Sequence, residues 1–169
     1  MFFHKTETRS QGFTLIEMAI VLVVIGLILG MVYKGRQLIA SAKVKNTNAA
    51  YNKVIAGMNS FYDRYGFYPG DGCGSDTSDP TGCTNSKNGL ISDEDKSEET
   101  SSFWSMLEGT GILSAADKES GIGEFGIYGT ESYSWLNATG ADTRIVCDLD
   151  RTADDGNATT GDIQANNDK

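Results

Sequence analysis

Between Gly12 and Tyr33 the chain reads GFTLIEMAIVLVVIGLILGMVY, an apolar run broken by a single charge, Glu17. Phe13–Tyr33 spans 21 residues, close to the ~20 an α-helix needs to cross the hydrocarbon core of a bilayer. A carboxylate in such a run is expensive and is a functional hypothesis by default. It asks for a partner, and this segment contains none. A secretory signal peptide predicts a shorter apolar core with a small-residue cleavage site behind it. This run is longer, no such site follows, and a plain single-pass anchor has no need of Glu17.

The helical pattern continues past the run. No proline occurs from Gly35 to Tyr65, and apolar residues recur at Leu38, Ile39, Ala42, Tyr51, Val54, Ile55, Met58, Phe61, Tyr62 and Tyr65. Spacings of three, four and seven mark one face of an amphipathic helix. Lys45, Asn48, Asn52, Lys53, Asn59 and Asp63 take the other face. The pattern predicts one helix from about Thr14 to Tyr65, roughly 75–80 Å long at ~1.5 Å per residue. Gly66 is a natural stop, and Phe67-Tyr68-Pro69-Gly70-Asp71 turns the chain away, with Tyr68 expected to pack back on the helix. Residues 72–102 read as a loop. Ser101 or Ser102 then caps a short helix burying Phe103, Trp104 and Leu107. Residues 121–165 predict short strands and turns, with strand candidates at 126–129, 132–136 and 143–147. The polar tail, Ala165 to Lys169, predicts fraying.

Charge divides along the same boundary. Residues 13–65 carry six basic and two acidic side chains; residues 66–169 carry six basic and twenty acidic, a net of −14. The head is therefore a poor nucleic-acid binder by its own charge. Topology from charge alone is contrary: Lys5 and Arg9 precede the run, while Lys34, Arg36, Lys43 and Lys45 follow it.

A short polar leader ending in Gly12, then Phe13-Thr14-Leu15-Ile16-Glu17, then an unbroken apolar helix resembles the type IV pilin family, the subunits of type IV pili and type II secretion pseudopili. The "YP-G-D" turn after the helix and the "FW-x-x-L" segment resemble elements of the same family. The resemblance implies an α+β fold, a long, partly transmembrane helical stalk with a C-terminal antiparallel sheet as head. It implies a leader at 1–12, a membrane or filament-core helix at 13–34, an amphipathic half at 35–65 and a head at 66–169. A prepilin peptidase is expected to cut between Gly12 and Phe13 on the cytoplasmic side, overriding the charge count, and to methylate the new amine of Phe13. Glu17 is then expected to face the Phe13 ammonium of the next subunit, a pair that sets register more than it adds stability. The implied partners are the inner membrane before assembly, assembly platform proteins, and copies of the same chain in an extracellular pilus or a periplasm-spanning pseudopilus. The pilus serves adhesion or motility; the pseudopilus supports protein export. The family's mid-stalk proline is absent.

Three cysteines, Cys73, Cys83 and Cys147, lie in the head. An oxidising compartment favours a disulfide. The loop between Cys73 and Cys83 is short and flexible, so that pair is expected, leaving Cys147 free, buried or bonded between subunits. No C-x-x-C spacing or nearby histidine supports zinc. Asp148, Asp150, Asp154 and Asp155 form an acidic cluster that offers oxygen ligands for calcium, although it lacks the EF-hand glutamate. Turn chemistry, with Asp150 or Asp154 capping backbone N–H groups, is the alternative. From a different class, a monomeric membrane-anchored calcium-binding domain fits the same features. Two N-x-T triplets begin at Asn137 and Asn157; such triplets are frequent by chance. The mature chain holds no histidine, no G-x-S-x-G and no phosphate-binding glycine loop, so no enzyme is expected and no cofactor is required.

Overall fold

The computed structural model describes residues 12–74, 76–92, 99–119, 123–130 and 132–164. Residues 1–11 of the leader and the tail from 165 fall outside them. The architecture is α+β. Helix α1 (Leu15–Tyr65) comes first, then α2 (Glu99–Gly109), strands β1 (Glu124–Gly129) and β2 (Ser134–Thr139), and α3 (Thr143–Ala153). Short 3-10 turns occupy Pro80–Gly82 and Ala115–Lys118. The chain divides into two compact units, Met1–Ile39 and Ala40–Lys169.

In the first unit, α1 is exposed on every described side from Leu15 through Lys34. Its 18-residue window has a mean hydropathy of 2.8 and no buried residue. A Cβ added at Gly26, Gly30 or Gly35 meets nothing within 4 Å, so no contact among the described residues requires those glycines.

In the second unit, α1 buries Val44, Thr47, Val54, Gly57 and Phe61, with Tyr51, Ile55 and Met58 half-buried. The buried stripe follows helical spacing but begins at Val44. Leu38 and Ile39, assigned to it from the sequence, are 64% and 61% exposed. Gly57 lets Leu113 approach: an added Cβ would sit 3.0 Å from two of its atoms. The helix ends where Gly66 adopts φ 81° and its N–H donates to the Tyr62 carbonyl, the left-handed stop that glycine takes without a Cβ penalty. Tyr68 does pack back, its ring 4.9 Å from that of Tyr62.

The main core gathers Val54, Phe61, Phe67, Ile91, Phe103, Trp104, Met106, Leu107, Leu113 and Phe125 around the Cys73–Cys83 disulfide. Helix α2 starts at Glu99, two to three residues before the Ser101 or Ser102 cap predicted, and Ser102 is itself buried. The strands pair antiparallel, Glu124 opposite Thr139 through Gly129 opposite Ser134. Phe125, Ile127, Leu136 and Ala138 face the core.

The loop over 72–92 is irregular as expected, but two buried carboxylates tie it down. Asp71 accepts the N–H groups of Asn88 and Gly89 at 3.1 and 3.0 Å. Glu99 accepts those of Gly72 and Ser92 at 2.9 and 3.0 Å. Glu99 satisfies donors on the buried Gly72 and Ser92 that burial would otherwise strand, while Asp71 ties the buried turn to the exposed Asn88 and Gly89.

The third strand candidate fails. Residues 143–147 are not a strand; they open α3. Thr143, Ile145 and Val146 favour strands locally, yet Asp142 accepts the Arg144 N–H at 3.0 Å as an N-cap. Ile145 and Leu149, four apart, then meet Val44 and Ile163 in a second small cluster. Tertiary burial at helical spacing overrides the local preference.

Candidate functional site

The first candidate site is the start of α1. Thr14 precedes the first helical residue, and Glu17 lies three positions further on. Glu17 Oε2 accepts the Thr14 N–H at 2.8 Å and the Thr14 hydroxyl at 2.8 Å, and the Thr14 hydroxyl oxygen in turn accepts the Glu17 N–H at 3.3 Å. This is a capping box, in which two helix-end donors are satisfied reciprocally. It corrects the reading that the segment contains no partner for Glu17. The partner is neutral and local, and its T-x-x-E signature was legible in Thr14-Leu15-Ile16-Glu17. Gly12 and Phe13 lie just outside the helix, and Phe13 is 80% exposed. Both residues flanking the Gly12–Phe13 bond are exposed among the described residues, and a new amine on Phe13 would sit one residue from the cap.

The second candidate site is the acidic cluster after α3. One carboxylate oxygen each from Asp150, Asp154 and Asp155 lies within 4.8 Å of the others. Asp148 is exposed and is not in that group. The three that converge already hold the C-terminal loop. Asp150, buried, accepts the Gly156 N–H at 3.1 Å. Asp154 accepts the Ile163 N–H at 2.7 Å. Asp155 accepts the Thr160 hydroxyl at 2.7 Å and the Asn157 N–H at 2.8 Å. The Thr160 hydroxyl, followed by the Asn157 N–H, holds the Asp155 carboxyl below the usual carboxylate range. An ion could draw only on oxygens that these turns leave over.

The cysteines stand apart from both sites. Cys73 and Cys83 are bonded, with Cα atoms 4.1 Å apart. The Met106 Sδ lies 3.9 Å from each of their sulfurs. Cys147 is a free, half-buried thiol on α3.

An exposed, membrane-length apolar helix with one capped carboxylate at its start, followed by a disulfide-bonded α+β head, fits the precursor of a membrane-anchored protein. The prokaryotic N-terminal methylation motif matches residues 8–33, and this match supports placing the chain among the type IV pilins and pseudopilins. It spans Gly12, Phe13, Glu17 and the apolar run. Neither a curated protein nor a solved structure matches the chain. The matched motif is described as one for N-terminal methylation, and it leaves residues 34–169 unmatched.

Proposed function

We propose that this chain is a structural subunit of a type IV pilus. It is cleaved between Gly12 and Phe13, methylated on Phe13, and polymerised through α1, with the head on the filament surface. The carrying observation is the methylation motif over 8–33 laid on an apolar run whose single charge is Glu17 and whose Gly26 and Gly30 have open space beside them. Small residues let helices approach closely in apolar surroundings.

Charge supports polymerisation as well. Lys34, Arg36, Lys43 and Lys45 are exposed and form no ion pair among the described residues, while the head carries the acidic excess. On this reading the basic stretch of one subunit lies against acidic heads of its neighbours, and assembly weakens at high salt. The pilus is preferred over the pseudopilus for the long polar stretch read over 72–102 and the cysteine pair in the head.

Mass spectrometry of the mature N-terminus tests the processing: a chain starting at N-methyl-Phe13 is expected, and an intact leader on filament material sinks the proposal. Gene deletion separates the two assemblies. Loss of surface fibres is expected; retained fibres with secreted enzymes held back in the periplasm would replace the pilus with a pseudopilus.

A further inference from the structure

The two N-x-T triplets are set in opposite backbone geometries. Asn137-Ala138-Thr139 lies within β2, where Asn137 pairs with Gly126 and Thr139 with Glu124. The Thr139 hydroxyl donates to the Glu124 carbonyl across the ladder at 3.3 Å. It is turned to the neighbouring strand, and drawing this triplet into an enzyme would break the β1–β2 pairing.

Asn157-Ala158-Thr159 is a surface turn. The Asn157 Oδ1 accepts both the Thr159 N–H at 3.3 Å and the Thr159 hydroxyl at 3.0 Å. The Asn157 side chain thus bonds its own backbone two residues on, an Asx turn. Asp155 fixes the approach by accepting the Asn157 N–H, and the Thr160 N–H closes the turn on the Asn157 carbonyl at 3.0 Å. Asn157 and Thr159 are both exposed. The Asn157 Nδ2 donates to no group among the described residues. Two donors on Oδ1 stabilise negative charge there, which favours loss of an amide proton from the free nitrogen.

We propose that Asn157 is an N-glycosylation site and that Asn137 is not. N-x-[ST] is the acceptor pattern for N-linked sugars on surface loops of exported proteins, so the proposal rests on the export of the head that the filament reading entails. The donor class is an oligosaccharide on a polyprenyl pyrophosphate. The Asn157 Nδ2 forms a bond to the anomeric carbon of the first sugar as the bond from that carbon to the pyrophosphate oxygen breaks. One Nδ2 proton goes to a base of the transferase, and the polyprenyl pyrophosphate leaves with the electron pair. The sugar would stand beside the acidic cluster and cover the loop after α3.

Peptide and intact-mass spectrometry of the mature protein from its native host tests this. A sugar mass on the peptide containing Asn157 is expected, with the peptide containing Asn137 unmodified. Asn157→Gln and Thr159→Ala should abolish the added mass, while Thr159→Ser, which keeps the hydroxyl, should retain it. A bare Asn157, an added mass that survives Thr159→Ala, or a sugar on Asn137 overturns the proposal. The N-terminal peptide in the same data separates the two readings. Methylated Phe13 with a bare Asn157 removes the glycan alone, whereas an unprocessed N-terminus removes the filament reading.

Discussion

Asp117 joins the 3-10 turn at Ala115–Lys118 to α1. Its Oδ1 accepts from the Lys53 Nζ at 2.5 Å, and its Oδ2 accepts the Ser114 N–H and hydroxyl at 3.0 and 2.9 Å. Lys53, followed by the Ser114 N–H and hydroxyl, holds the Asp117 carboxyl down to about 2 from an ordinary 3.8. At about 1.4 kcal/mol per unit, that shift sets a ceiling near ~2.5 kcal/mol. The Lys53 side chain is 58% exposed and that of Asp117 17%, so solvent screening brings the contribution to about 1 kcal/mol. The folded pKa lies below the unfolded one. The stabilisation is therefore full above about pH 4 and is lost as pH falls through about 2.

Asp117→Asn removes the charge and should cost about 1 kcal/mol in urea unfolding of the detergent-solubilised chain at pH 7, read by fluorescence of the buried Trp104. The deficit should shrink below pH 4 and vanish near pH 2. Asp71 titrates in the opposite sense. Burial raises its pKa, against the N–H bonds from Gly89 and Asn88 and the nearby Lys87, so its contribution to stability grows as pH falls through its folded value. Asp71 is present in both proteins and cancels in their difference. Lys53→Met should show the same converging profile. Variant and wild-type curves that stay parallel between pH 4 and 2 would refute the assignment of the shift to this pair.

Glu17→Gln should abolish filaments while the chain still inserts in the membrane, whereas Thr14→Ala should fray the helix start and leave filaments intact; normal filament yield from Glu17→Gln contradicts the register role. Replacing Cys73 and Cys83 with serine should lower stability by about 2–3 kcal/mol, the scale for closing a loop of this size, and Cys147→Ser should not, as thermal melts would read. Millimolar calcium should leave the melting temperature unchanged, since Asp150, Asp154 and Asp155 already serve the loop; a clear rise would restore the ion.

What the sequence disclosed and what it hid divide by the range of the interactions. The apolar run, the α1 stripe from Tyr51 to Phe61 and the Gly66 stop repeat or act within a few residues, so periodicity exposes them. The Cys73–Cys83 bridge closes a short loop and was legible for that reason. The anchoring of the 72–92 loop was not legible, because Glu99 bonds Gly72 across 27 positions and Asp71 bonds Gly89 across 18. Nothing in an isolated Asp or Glu announces a distant N–H. Helix α3 failed differently: Ile145 and Leu149 carried the helical spacing, but strand-favouring residues at its start hid it. Of the acidic cluster, the sequence named four aspartates; folding gathers three, because Asp148 turns to solvent while Asp150 turns inward on α3.

The capping box changes how the charge in the apolar run is understood. A carboxylate without any partner would favour assembly simply to escape its surroundings. Here Glu17 is already held by Thr14 in the single chain, so on the filament reading assembly is an exchange of partners. On the same reading, cleavage after Gly12 would supply the competitor, an ammonium on Phe13 one residue from the cap. A charged donor outcompetes a neutral one for a carboxylate in an apolar medium. Among the described residues the uncut chain offers Glu17 the neutral Thr14, and on the filament reading it lacks the amine that a neighbour's carboxylate needs. Processing would then license polymerisation through electrostatics alone.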